Sequence, residues 1–440
     1  MWSLKTLRFA DIGTGLSAVI GSASLLFAGM AQAAEPVCNA PAPGCGPNAA
    51  SCDQIYQNAG NQLNAYTAQA GCAPSSVCDT GKLFGSSGCD DGCGWCNLGE
   101  PWKLSKQEGF DYGGWIQMGY QNKPDGSFTG NGPFLNQKEW GKFNLNQLYL
   151  YATKVADGSK GVDWGFRFDA MYGVDGNDAQ AFGNDPGHWD YLNGFDHGIY
   201  EFALPQAYGE IAVENLSVKI GHFYTPIGYE VVTSPDNFFY SRQVNFWNSE
   251  PFTHTGALGN YKATDKLSLT GGWVLGWDTG FDQFNNSSMG ITGLVYSVSD
   301  IFTLTYMNGF GNFGLRGDGM VNSAILSAKW TEKFSTVHQF DVLGTNNNSN
   351  FQDPASLTAK NSTGLINYAF YQINDCLKAG ARYEWYKADG TSYNTLTGGV
   401  NVIPHANVVI RPEVRYMWSP GNDADLWNAT VFGIDAIVKF

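Results

Sequence analysis

The sequence predicts an all-β fold: a transmembrane antiparallel up-and-down β-barrel of about 16 strands, with a Cys-rich irregular extension ahead of it. Three observations carry that expectation. From Phe110 onward, segments of roughly ten residues alternate in polarity between clusters of turn residues. The connections between those segments alternate between short and long. The chain ends on an alternating stretch, TVFGIDAIVKF, with Phe440 last.

The first residues read as a secretory leader over residues 1–33. Lys5 and Arg8 precede a small, apolar run, and Ala31 and Ala33 stand where a signal peptidase cuts. No later stretch is long and apolar enough for a membrane helix. The chain has 55 glycines, 15% aromatic residues and only 15% charged residues. That mixture suits a sheet with lipid on one face and water on the other. A net charge of -15 argues against nucleic acid as a partner, because phosphates want a basic surface.

Residues 34–109 form the extension. It holds Cys38, Cys45, Cys52, Cys72, Cys78, Cys89, Cys93 and Cys96, and only Cys376 lies elsewhere. A dense set of cysteines in an exported chain reads as a disulfide framework. Cys89, Cys93 and Cys96 have the spacing of part of a metal knuckle, but no fourth ligand accompanies them, so no metal or cofactor is expected.

The barrel is expected over residues 110–440. Its strands start near Phe110, Phe143, Val162, Pro205, Leu216, Phe252, Lys266, Ser288, Phe302, Met320, Phe334, Ser362, Cys376, Tyr393, Ala406 and Trp427. In VDWGFRFDAMYG, Trp164, Phe166 and Phe168 share one face, and Arg167 and Asp169 the other. NVVIRPEVRYMW and CLKAGARYEWYK repeat the pattern. Pro412 removes a ladder donor, so an irregularity is expected there. Even-numbered connections are short, such as ENL and TDK. Odd-numbered ones are mostly long, three of them markedly so, which is the contrast between periplasmic turns and outer loops. The final stretch closes the barrel on FDYGGWIQMGY, because an open sheet edge is not tolerated in a bilayer. Outer-membrane lipid then meets the apolar face. A terminal Phe440 is also the kind of signal that barrel-assembly machinery reads.

The stretch over residues 221–258 contains GHFYTPIGYE, NFFYSR and EPFTHTG. With LGEPWKL and GGWIQMGY it resembles the OmpL-like family, the second of the beta-barrel porin families. The resemblance spans about residues 98–440 and implies a porin-like outer-membrane barrel. It brings no substrate with it.

Candidate site residues follow from the third long outer loop, residues 223–251. It carries Glu230, Asp236, Arg242 and Glu250 among Phe238, Phe239, Tyr240, Phe246 and Trp247. We expect it to fold inward as a pore constriction with Arg242 facing the acids, since charge clusters are how pores select ions. The competing reading packs its aromatics as a lid or onto the rim. Expected lumen-lining charges are Arg167, Asp169, Lys219, Arg382, Glu384, Arg411, Glu413 and Arg415. They read as mutually paired structural charges, or, for Arg382, Arg411 and Arg415, as a basic ladder with weak anion preference. The acidic loop over residues 175–197 reads as a solvated surface loop rather than a Ca²⁺ site. No nucleophile-elbow, zincin or P-loop motif is present, so no enzyme is expected. His254 reads as a structural hydrogen-bonding residue. A barrel of this size leaves an aqueous interior, so passive diffusion of small hydrophilic solutes is the expected function, in a homo-trimer. The alternative is a structural barrel that the extension tethers or plugs.

Overall fold

A computed structural model describes residues 98–104, 109–122, 141–346, 359–420 and 428–440. The expected leader and the eight cysteines of the extension lie outside the described residues.

Sixteen strands follow in order: β1 (Asp111–Gln121), β2 (Phe143–Lys154), β3 (Asp163–Gly173), β4 (Glu201–Val213), β5 (Leu216–Tyr224), β6 (Thr253–Lys262), β7 (Leu267–Val274), β8 (Ser288–Ser297), β9 (Phe302–Asn312), β10 (Asp318–Lys329), β11 (Phe334–Thr345), β12 (Asn361–Asn374), β13 (Leu377–Ala388), β14 (Thr391–His405), β15 (Val408–Trp418) and β16 (Ala429–Lys439). Each pairs antiparallel with its neighbours in a closed barrel. Two short helices, α1 (Gly176–Ala179) and α2 (Val244–Ser249), lie in outer loops.

Closure runs through β1 and β16, with Gln117 opposite Ile437 and Gly119 opposite Asp435. Phe440 completes it: its N–H and carbonyl exchange 2.9 Å bonds with Gly114. The terminal aromatic is therefore tied down on both sides of its peptide, as the closing-strand reading requires.

Strand starts match the expected ones within two residues, except β4. It begins at Glu201, four residues before Pro205. Pro205 does not start the strand. It sits inside β4, at a register shift facing the Asp169–Met171 stretch of β3. Missing one ladder donor is tolerated at a bulge. Pro412 behaves differently. Pairing to β14 lapses opposite Arg411 and Pro412 but resumes in the same register, from Glu413–Gly399 to Ile410–Val402.

The outward face is apolar. Ile116, Met118, Leu148, Leu150, Trp164, Phe168, Ile211, Ile220, Leu269, Trp273, Leu396 and Phe432 are all exposed on it, as a lipid-facing wall demands.

At the end of the barrel with the short turns, residues 98–104 are fastened to the β14–β15 turn. Asn407 Oδ1 accepts from Trp102 N at 2.7 Å, while Asn407 Nδ2 donates to the carbonyls of Trp102 and Lys439. Trp102 stacks on His405 at 4.6 Å. Cys376, in the β12–β13 turn and far in sequence from the other eight cysteines, is disulfide-bonded.

Candidate functional site: an outer loop inside the barrel

Outer loop 3, residues 225–252, enters the lumen and fills its middle. Its internal order comes first. Pro235 lies in a 3-10 turn at Ser234–Asp236. Arg242 Nε donates to the Val231 carbonyl, Nη1 to those of Phe239 and Tyr240, and Nη2 to the Val232 carbonyl and Ser234 Oγ. All of these acceptors belong to the loop itself. Arg242 lies close enough to the loop acids Glu230 and Asp236 to act on them, but it is 2% exposed and uses its donors to fold the loop, which corrects the expectation of a pore cation.

The wall then receives the loop in two ways. From β11 through β16 to β3 the contact combines directional polar bonds with apolar packing of Phe239 and Val244. Arg382 Nη1 pairs with Glu230 Oε1 at 2.6 Å and also donates to the Ser241 carbonyl. The Glu384 carboxylate accepts from the N–H groups of Val244 and Asn245, the first residues of α2. Glu413 does the same for Tyr240 and Ser241. Arg411 pairs with Asp435 through Nε and reaches the carbonyls of Ser234 and Asn237. Gln117 bonds Asp435 and Ser234 Oγ. On β3, Arg167 Nε bonds Asp169 at 2.6 Å, and Asp169 also accepts from Gln206. Arg415 is buried in register between Thr397 and Val431. The lumen charges are thus mostly paired, and Arg382 and Arg411 do not stand as a free basic ladder.

Glycines on this wall make niches for the loop's large side chains. A Cβ on Gly119 would stand 2.3 Å from Tyr240 Oη, and one on Gly380 would stand 2.4 Å from Phe238. Gly399 and Gly433 back Phe239 and Tyr240. Each missing side chain is the space its partner occupies.

From β5 to β11 the contact is apolar. Phe223, Leu258, Val274, Met289, Ile291, Met307, Val321 and Leu343 cluster around Ile227 of the loop, with Trp277 from outer loop 4 (residues 275–287) and Phe313 from outer loop 5 (residues 313–317). Selecting candidates by charge passes over this face, and its signal is the run of apolar lumen positions on β7 to β10. Lys219 lies at its edge, over the Phe223 ring at 4.4 Å.

The four expected constriction residues therefore separate. Glu230, Arg242 and Glu250 are buried in contacts. Asp236 is exposed, and among the cations acting on it are Lys439 and Arg167. The bases acting on Asp236 come both from the wall, as Lys439 and Arg167, and from the loop, as Arg242. Asp175, expected in a solvated loop, is instead buried and lines a small cavity with Val232, Arg242, Phe246, Trp247 and Phe252. Asn146 and Gln147 bond its carboxylate.

His254 is structural, as expected. Its Nδ1 bonds the Gly276 carbonyl and its Nε2 meets Thr225 Oγ1. His222 bonds Thr255 from the opposite face of the wall. Among the described residues no group of three or more His, Cys, Asp or Glu side chains is placed to hold a metal.

Comparison with known proteins agrees with this architecture. Residues 109–440 match the family described as "Putative beta-barrel porin-2, OmpL-like". The outer membrane channel DcaP of Acinetobacter baumannii has a similar fold, with TM-score 0.53 at 11% identity over 77% of this chain and 99% of that one. A double mutant of the Rh. blastica porin gives TM-score 0.48 at 12% identity over 75% of this chain and 100% of that one. No curated protein matches this chain. The chain belongs to the OmpL-like beta-barrel porin family and is a porin-type barrel of the bacterial outer membrane.

Proposed function

We propose that this OmpL-like porin passes small hydrophilic solutes or ions by passive diffusion, and that outer loop 3 is its constriction. The observation that carries the reading is the docking of that loop across the lumen, with Glu230 paired to Arg382 and Asp236 left exposed. The passage runs beside the loop, with Asp236 on one side and Arg167 and Lys439 on the other. Acid opposite base gives a transverse field and only weak selectivity. The family and the fold are those of channels, and we assign no catalysis to it.

Outward glycines support assembly as a homo-trimer. Gly209 and Gly271 have open space where a Cβ would stand, so the wall there is flat and admits close approach. The paired Phe440 terminus supports recognition by barrel-assembly machinery. A second reading, in which the extension tethers or plugs the barrel, is favoured by two anchors at one rim: the Asn407 clamp on Trp102 and the disulfide at Cys376.

Single-channel recording in a planar bilayer tests the reading. The full chain and a version starting at Leu98 both conduct if the barrel is an open pore. Conductance of the shorter version alone supports a plug. Silence of both contradicts a channel.

A further inference from the structure

Outer loop 3 ends at a contact that has no cation in it. Glu250, at the loop's C-terminal end, meets Asp341 of β11. Both carboxyls are about 1% exposed. The same two amides serve both. Asn245 Nδ2 donates to Glu250 Oε1 at 2.7 Å and to Asp341 Oδ2 at 2.5 Å. Gln339 Nε2 donates to the same two oxygens at 2.6 and 2.7 Å. Each carboxyl is left with one oxygen that no N–H reaches, Glu250 Oε2 and Asp341 Oδ1. The two carboxyls are hydrogen-bond neighbours of each other.

The charged and titratable groups around them are all committed elsewhere. From the loop, Glu230 is held by Arg382 and Tyr368, and Arg242 by loop carbonyls. From β13, Glu384 caps α2, and the Tyr386 hydroxyl meets Ser249. From outer loop 5, Arg316 reaches the Asn248 carbonyl; from outer loop 4, Asp278 accepts from Phe252 and Thr253. From β10 comes the neutral Ser323 hydroxyl, beside Asp341. Two carboxylates in contact without a cation cannot both stay ionised.

We propose that Glu250 and Asp341 hold one proton between them and that this proton latches the end of outer loop 3 to β11. The latch rests on reading the loop as the constriction. The docked loop binds one more proton than the released loop. Docking is therefore strongest in acid, below the pH at which the released carboxyls ionise, and weakens as rising pH removes the shared proton. Conductance then rises with pH.

The test uses the full chain, with infrared difference spectra and conductance measured side by side from acid to alkaline pH. Wild type should show a protonated-carboxyl C=O band that vanishes on alkalisation, while conductance rises several-fold. In Glu250→Gln the band is lost and conductance stays low and flat, because the amide supplies the missing donor permanently. Asp341→Asn should behave alike, and it carries the test if the first variant fails to fold. Absence of the band in wild type overturns the shared proton. A titrating band with conductance that is flat in wild type, or equally pH-dependent in Glu250→Gln, overturns the latch. Failure of the constriction reading shows separately, as unchanged conductance when residues 234–248 are deleted.

Discussion

The two sides of the lumen hold the same loop by different means. The wall from β11 to β3 grips it with directional bonds from Arg382, Glu384, Arg411 and Glu413. The wall from β5 to β11 offers Leu258, Ile291, Met307 and Val321 around Ile227. Directional bonds to backbone groups fix which residue of the loop meets which strand. An apolar face contributes burial with little preference for register. The wall with directional bonds thus sets position, while apolar packing, shared by both walls and alone on the second, adds adhesion.

Substitutions on each side can separate these roles. The largest effect is expected from Arg382→Met, which leaves Glu230 buried without its cation and should cost about 3–5 kcal/mol in denaturant unfolding. Gly119→Val fills the Tyr240 niche and should destabilise by about 1–3 kcal/mol, with raised conductance as the loop lifts; an unchanged conductance would show that the niche does not position the loop. On the apolar side, Ile291→Val should cost about 0.5–1.5 kcal/mol and leave conductance unchanged. A large conductance change there would erase the distinction between the walls.

The smallest effect concerns outer loop 2, residues 174–200, which meets loop 3 through Asp175 and Phe182. Asp190 is buried there and accepts from Ala181 and Leu204 N–H groups. Burial raises its pKa to about 6. A carboxyl whose folded pKa is raised binds extra protons in the folded state, so loop 2 loses stability as pH rises towards and through that value. Proteolysis of loop 2 should be slower at pH 5 than at pH 7, and Asp190→Asn should remove the difference.

Much of the barrel was legible because a two-residue period repeats on every strand. The closing strand was equally plain: the Phe432–Phe440 alternation has to meet lipid on one side. Pro205 misled at β4 because a proline inside a bulge looks, in sequence, like a strand start. The loop's entry into the lumen could be anticipated from its aromatics and charges. Its wiring could not. Arg242 has the same residue type whether it serves ions or carbonyls, and only the folded loop decides. The niches of Gly119 and Gly380 are invisible until a register brings Tyr240 and Phe238 against them.

The most direct measurement is single-channel conductance of the full chain beside a variant lacking residues 234–248. The constriction account predicts several-fold higher conductance in the deletion variant, with weakened ion selectivity once Asp236 is gone. Equal conductance and selectivity in the two proteins would contradict it.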